Sequence, residues 1–379
     1  MKAVLTNEDR FIQPRKSIPM KKAFVAIATL TALCASTGAL AQSNVTLFGV
    51  LDASVARISS GGNDVTGLAT GDQTSSRLGF RGTEDLGGGL AAGFWLEGGV
   101  TLDNGGGTGS GTGFGFERRS TISLISNSLG ELRLGRDKVP AYLNIEAFDP
   151  FTDIGVGGVG ASNMIGNATA AAGTSDGSAP KRVGNGINYI LPANLGGFFG
   201  QFQYAFGEQA SNVANDKQRT TVGGRLGYMA GPINAAIGYS EATGGTTAVE
   251  VNYKSTTMGA SYNFGVVKPM VQFATEKGNG RKMEMFEIGA TAPLGSGELR
   301  AALSTIKRKD ISDADSQKFA IGYGYNLSKR TQVYGTVARV SNDGAASRGL
   351  AVSSSSLASP TIGAGANVTG YEVGVRHSF

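Results

Sequence analysis

Few residues in this chain could carry out covalent or proton-transfer chemistry. It holds one His and one Cys. His377 is the only imidazole base, and it shares the parity of Tyr371, Val373, Val375 and Phe379, an apolar series that makes a Ser-His-Asp site improbable. Cys34 lies in an apolar N-terminal stretch, and one Cys with one His supplies neither a disulfide framework nor a Cys/His metal site. The run Gly155–Gly160 (GVGGVG) fits the G-x-G-x-x-G pattern. It neither follows a clear strand nor opens a helix, as phosphate binding at a helix N-terminus requires, so it reads as chance in a Gly-rich chain. No Gly-Lys dipeptide exists, which removes the P-loop. Charge is what remains: Arg77, Arg81, Glu97, Arg119, Arg133 and Arg182 in alternating segments, and Glu146, Asp149 and Asp153 within NIEAFDPFTD. None of these requires a cofactor.

Such charges act together only if something positions them, and composition restricts what that can be. Gly supplies 59 of 379 residues, about twice the usual share. There is no strict Gly-X-Y period, which excludes collagen, and 40% hydrophobic residues disfavours disorder. Each interior helix Gly costs about 1 kcal/mol relative to Ala, so a helical bundle fits poorly. No stretch of the body approaches the roughly 18 apolar residues of a membrane helix.

The period is two instead. In Phe198–Phe206, Phe198, Phe202, Tyr204 and Phe206 oppose Gln201 and Gln203; in Lys318–Leu327, Phe319, Ile321, Tyr323, Tyr325 and Leu327 oppose Lys318, Gly322, Gly324 and Asn326. In 222–228, Val222, Leu226 and Tyr228 oppose Gly223, Arg225 and Gly227. A soluble sandwich and a membrane barrel both show this pattern, so the punctuation must separate them. Short turn clusters fall at 84–89, 127–130, 193–197, 230–232, 265–266, 294–297 and 327–330. Between them lie longer polar or Gly/Ser-rich stretches near 58–73, 103–115, 139–180, 207–216, 241–253, 276–281, 307–315 and 342–367. Short and long connections alternating in this way predict about sixteen antiparallel strands of roughly ten residues, the span of a tilted membrane strand. Every long loop then lies at one end, for which a sandwich has no reason.

Residues 1–41 read as a separate signal segment: a basic start at Met20-Lys21-Lys22, an apolar stretch Ala23–Leu33, and Ala39-Leu40-Ala41 as a small-x-small cleavage site, making Gln42 the first mature residue. Residues 1–19 are odd upstream of such a signal, so Met20 is a candidate start. The segment carries nearly all of the formal net charge of +5. The body at 42–379 is therefore almost neutral, which gives no support to nucleic-acid binding.

Several segments resemble the general (diffusion) porins of Gram-negative outer membranes: Val45–Asp52 (VTLFGVLD), Ser76–Leu86 (SRLGFRGTEDL), Gly130–Lys138 (GELRLGRDK) and Tyr371–Phe379 (YEVGVRHSF). They occur in the right order across essentially the whole body. The resemblance implies an all-β transmembrane antiparallel barrel of sixteen strands with a long third loop folded into the lumen. It also implies a homotrimer in outer-membrane lipid and lipopolysaccharide, passing small hydrophilic solutes and ions through a water-filled pore. A terminal aromatic, Phe379 here, is implied to be the signal read by the barrel-assembly machinery.

The connection 139–180 is the third long one, and loops longer than about 15 residues are usually functional. Taken alone, its acids Glu146, Asp149 and Asp153 are ordinary solvated carboxylates; with the resemblance they become candidates for a constriction. Parity selects the facing wall. Leu78 and Phe80 toward lipid leave Arg77 and Arg81 inward, Ile122 and Leu124 leave Arg119 inward, and Leu132 and Leu134 leave Arg133 inward. Ile187 and Tyr189 place Arg182 on the lumen face, and Phe94 and Leu96 place Glu97 there. A basic wall facing an acidic loop orients polar solutes and discriminates ions weakly, here toward anions. A substrate-selective channel and an adhesin-type barrel are the alternatives.

Overall fold

The computed structural model describes residues 44–108, 113–160, 180–245, 248–350, 357 and 360–379; the expected signal segment lies outside them. Eighteen strand segments form one antiparallel sheet. In order they are β1 (Asn44–Ser60), β2 (Asn63–Thr70), β3 (Arg77–Gly87), β4 (Leu90–Thr101), β5 (Gly106–Gly107), β6 (Arg119–Ser126), β7 (Gly130–Lys138), β8 (Arg182–Ile190) and β9 (Phe198–Ala205). They continue as β10 (Thr221–Ala230), β11 (Ile233–Gly245), β12 (Glu250–Tyr262), β13 (Lys268–Gly278), β14 (Arg281–Leu294), β15 (Gly297–Arg308), β16 (Asp315–Asn326), β17 (Thr331–Asn342) and β18 (Val368–Ser378).

The wall is a closed barrel of sixteen strands. β5 is a two-residue pairing on β4, and β2 and β3 share one course: both pair with β1, β2 with its upper part (Ala53↔Thr70) and β3 with its lower part (Val50↔Arg77). Residues 71–76 interrupt that course, held by Asp52, whose carboxylate accepts from the Gln73 and Thr74 amides. The barrel closes where β1 pairs with β18, from Val50↔Ser378 to Ser60↔Val368. Closure pairs the first strand with the last and leaves no open seam there, which a lipid environment demands.

Seven short turns lie at one end, between β3 and β4, β6 and β7, β8 and β9, β10 and β11, β12 and β13, β14 and β15, and β16 and β17. Three stretches expected as long loops are largely strand. The 58–73 stretch is a hairpin turning at Gly61 and Gly62, both with positive φ. The pairing of β11 with β12 runs out to Gly245↔Glu250, and that of β13 with β14 to Gly278↔Arg281. Their polar and Gly-rich residues punctuate like loops but continue the ladder.

Outside, alternate residues such as Leu47, Ile122, Leu226, Ile237, Ile288 and Leu303 are exposed. Tyr228, Tyr262, Phe264 and Tyr325 stand near the short-turn end, and Tyr204, Phe206 and Tyr239 toward the other. An apolar band between aromatic girdles suits a wall in lipid.

The core is inside the barrel, supplied by the connection after β7. Its helix α1 (Pro140–Phe148) starts with Pro at its first turn, where the missing N–H costs nothing, and ends at Asp149, an extended residue followed by Pro150. Tyr142 and Ile145 pack with Ala274, Met283 and Met285, while Phe151 and Val156 pack with Ala302, Ala320, Ala338 and Val368. Each buried Ile, Met, Phe or Val among these contributes about 1.5–3 kcal/mol. Glycines on the lumen side make the bed. A side chain at Gly259 would collide with Phe148, at Gly289 with Pro150 and at Gly370 with Leu350, beside Val156.

Candidate functional site

The charged wall is built on β3, β4, β6, β7 and β8, and α1 lies against β9 to β13 on the other side of the lumen. Exposed Phe80, Ile122, Leu132 and Ile187 mark the outer face, so the alternate positions point inward.

Trp95, the only tryptophan, organises the β3–β4–β6 part. The Arg119 guanidinium lies 4.5 Å from its ring centroid and that of Arg81 5.1 Å, with Arg81 also 5.2 Å from the Phe48 ring. The indole N–H donates to Glu97 at 3.0 Å. Glu97 also accepts from Arg118 at 2.7 Å and Arg77 at 3.4 Å. A single carboxylate thus holds two guanidiniums and one indole, and aromatic faces hold two further cations without neutralising them.

Next along the wall, Arg133 binds Glu131 at 2.8 Å and Asp137 at 2.6 Å, with Arg119 4.0 Å from Asp137. Arg182 donates to the Arg118 carbonyl at 2.9 Å, Arg136 donates to the Glu117 carbonyl, and Arg225 on β10 donates to the Asn144 side-chain oxygen at 2.5 Å. Among the described residues, Arg81, Arg136, Arg182 and Arg225 have no carboxylate within ion-pair distance.

The loop acids divide. Glu146 binds Lys138 at 2.6 Å at the foot of the loop. Asp149 is 2% exposed and accepts from the backbone amides of Phe151 (2.7 Å), Asp153 (2.8 Å) and Val159 (2.8 Å). Burial pushes its carboxyl up to about 6 despite these three donors. Asp153 is buried as well and binds Lys181 at 3.2 Å. Sequence reasoning sets all three acids against the arginine wall. Asp149 differs, because its oxygens are consumed in tying the loop to itself.

The glycine run 155–160 serves the same end. Gly155 has φ 64°, and any Cβ there would strike the Asp72 carbonyl. Its successor Val156 donates to Glu372 at 2.9 Å, and the Gly158 carbonyl accepts from Lys318. The helix is pinned by Ser240, which accepts from the Ala141 amide at 3.1 Å, and by Thr257, which donates to the Ala141 carbonyl at 3.0 Å.

Sequence reasoning misses Arg118, Arg136, Lys138, Arg225 and Trp95. Arg225 and Trp95 share a parity with the polar lumen side, a signal that could have found them. Arg118 precedes β6, and the register shift between Gly135 and Asp137 resets the alternation before Arg136 and Lys138, so parity could not find these.

At the C-terminus, the Phe379 amide donates to the Gly49 carbonyl at 3.1 Å and the Gly49 amide donates back at 3.0 Å. The Phe379 ring covers Gly49. The His377 ring lies 2.9 Å from the Thr331 hydroxyl.

Comparison with known proteins adds to this geometry. A family model described as Gram-negative porin matches residues 28–345. Outer membrane porin protein 32 of Delftia acidovorans is 39% identical over 368 residues, covering 95% of this chain and all of the relative. An outer membrane porin protein of Bordetella pertussis is 29% identical, covering 83% and 93% of the two chains. Among solved structures, an anion-selective porin from Comamonas acidovorans is 37% identical with a TM-score of 0.77, covering 89% of this chain and 100% of that one. OmpT of Vibrio cholerae in its trimer form, at 16% identity and TM-score 0.63 over 89% and 99% of the chains, shares the fold.

Proposed function

This chain belongs to the Gram-negative porin family, and on that premise we propose that its outer-membrane channel is narrowed between the arginine wall and the 139–180 connection and passes small anions somewhat better than cations. The observation that carries this reading is the set of lumen-side guanidiniums at Arg81, Arg136, Arg182 and Arg225, fixed by rings, carbonyls and an amide instead of carboxylates. Low-dielectric walls focus their field across a narrow passage. The acids that could offset them are engaged elsewhere: Glu97 on Arg77 and Arg118, Glu146 on Lys138, Asp149 on backbone amides and Asp153 on Lys181, with Glu146 also attracting Arg182 and Arg225. Arg77, Arg119 and Arg133 add positive charge that is partly compensated, so the preference is weak rather than absolute. Solutes cross by passive diffusion in water, and we read the protein as a channel and not an enzyme.

Reversal potentials in a salt gradient test this. Arg81→Ala and Arg182→Ala are expected to shift the potential toward cations, more at 0.1 M than at 1 M salt, where the screening length falls from about 10 to about 3 Å. Arg77→Ala and Arg119→Ala are expected to shift it less, since each also releases a carboxylate. No shift in any of the four would remove the arginines from the constriction.

We further infer a homotrimer embedded in lipid and lipopolysaccharide, delivered by a barrel-assembly machinery that reads Phe379. Cross-linking of the native membrane protein is expected to stop at three copies; a single species at one copy would reject it.

A further inference from the structure

The wall is only one of the supports of the constriction loop. Residues 343–350 after β17 turn back toward the lumen, and Arg348 donates from there to the Val159 carbonyl at 2.6 Å and the Ser304 hydroxyl at 3.3 Å. The preceding carbonyl, Gly158, is taken by Lys318 of β16. Two cations, one from the outer loop and one from the wall, thus hold consecutive carbonyls of the loop, and Asp149, Asp153 and Glu287 attract the guanidinium from around it. Burial draws Arg348 down to about 10, which still leaves it charged at neutral pH.

The arm that presents Arg348 is itself built. Asn342, buried at the end of β17, donates to the Arg348 carbonyl at 3.0 Å and accepts from the Arg348 amide at 3.0 Å. Two residues on, Leu350 is buried against the same glycine that receives Val156: a Cβ on Gly370 would lie 2.6 Å from Leu350 and 3.0 Å from Val156. The outer loop and the constriction loop therefore dock side by side on β18.

We propose that Arg348 is a positioning residue of the pore: the outer connection acts as a strut through it, and the aperture depends on that strut being seated. Displacing the outer loop from outside then loosens the constriction without touching the arginine wall. This rests on the constriction role proposed above for 139–180.

The test is single-channel recording of the full-length protein at 1 M salt, where a screening length of about 3 Å keeps the removal of one charge from altering the current by itself. Arg348→Ala is expected to lose the single sharp conductance level, showing substates and closure at lower voltage, with Arg348→Lys restoring one level in part. Lys309→Ala, which removes an exposed charge from the connection between β15 and β16, is expected to match the parent. Phe148→Ala, which undocks α1, separates the two claims. If Phe148→Ala is noisy and Arg348→Ala is not, the strut is wrong and the constriction stands; if both traces match the parent, both readings fail. Should Arg348→Ala not assemble, Asn342→Ala leaves the guanidinium present but frees its backbone. It must produce the same substates, and a clean single level would overturn the proposal.

Discussion

Trp95 does at residue scale what a carboxylate could do only by cancelling charge: it gives Arg81 and Arg119 a surface to lie on, with Arg81, among the described residues, free of any carboxylate and Arg119 4.0 Å from Asp137. Exposed cation–π contacts are worth about 0.5–1 kcal/mol each, too little to hold the barrel but enough to select a rotamer. Trp95→Phe is therefore expected to keep most of the anion preference while losing the hydrogen bond to Glu97. Trp95→Ala is expected to lower it and leave the barrel folded, read as a smaller reversal potential with unchanged heat-modifiable migration. An unaltered reversal potential in Trp95→Ala would show that the rings are only filling space. Asp149 makes the opposite case. Because it accepts from three backbone amides, Asp149→Ala should disorder the loop, seen as substates, with little change in ion preference. A clean shift toward anions with a single conductance level would instead return Asp149 to the pore lining.

At the scale of elements, the glycine content follows from the loop. Gly259, Gly289 and Gly370 face inward where Phe148, Pro150, and Leu350 with Val156 press on the wall, and a side chain there would force these neighbours to shift. Overpacking a tight interior costs about 1–3 kcal/mol, so Gly259→Val is expected to lift α1 and lower the thermal transition. Gly231→Val at an exposed hairpin turn bears on local turn strain alone and should leave conductance intact. Equal conductance in Gly259→Val and the parent would mean the helix does not set the passage. Much of this element layer was legible in the sequence. The seven short turns and the alternation of Phe198–Phe206 and Lys318–Leu327 place strands because Gly, Asn and Pro punctuate a period of two. The ends of β11, β12, β13 and β14 were not legible, since Gly, Thr, Glu and Lys beyond the apolar band still pair in the ladder but look like loop. Nor was the glycine bed, because a lumen-facing Gly and a turn Gly are the same letter until the loop's path is known.

At the scale of the whole molecule, the closed barrel explains why its first and last strands meet. Gly49 and Phe379 exchange backbone hydrogen bonds, and the terminal ring covers the glycine on the outer face. Deleting Phe379 removes little of the ladder, so refolding in detergent is expected to survive, whereas delivery to the outer membrane should fall and precursor should accumulate. Normal outer-membrane levels of the deletion protein would reject Phe379 as an assembly signal while leaving the barrel untouched. The charge layout was half legible: parity along β3, β6 and β7 turns Arg77, Arg81, Arg119 and Arg133 inward. The partners that decide which of them stay uncompensated come from bulges and from a residue outside a strand, which parity cannot reach.

The measurement that bears most directly on all of this is the reversal potential of the purified protein in a planar bilayer under a salt gradient at low ionic strength. A water-filled pore with uncompensated guanidiniums on its wall should give stepwise, ohmic openings and a potential displaced modestly toward the anion equilibrium value, with the displacement shrinking as salt rises. Absence of steps, or a potential displaced toward the cation value at low salt, would contradict it.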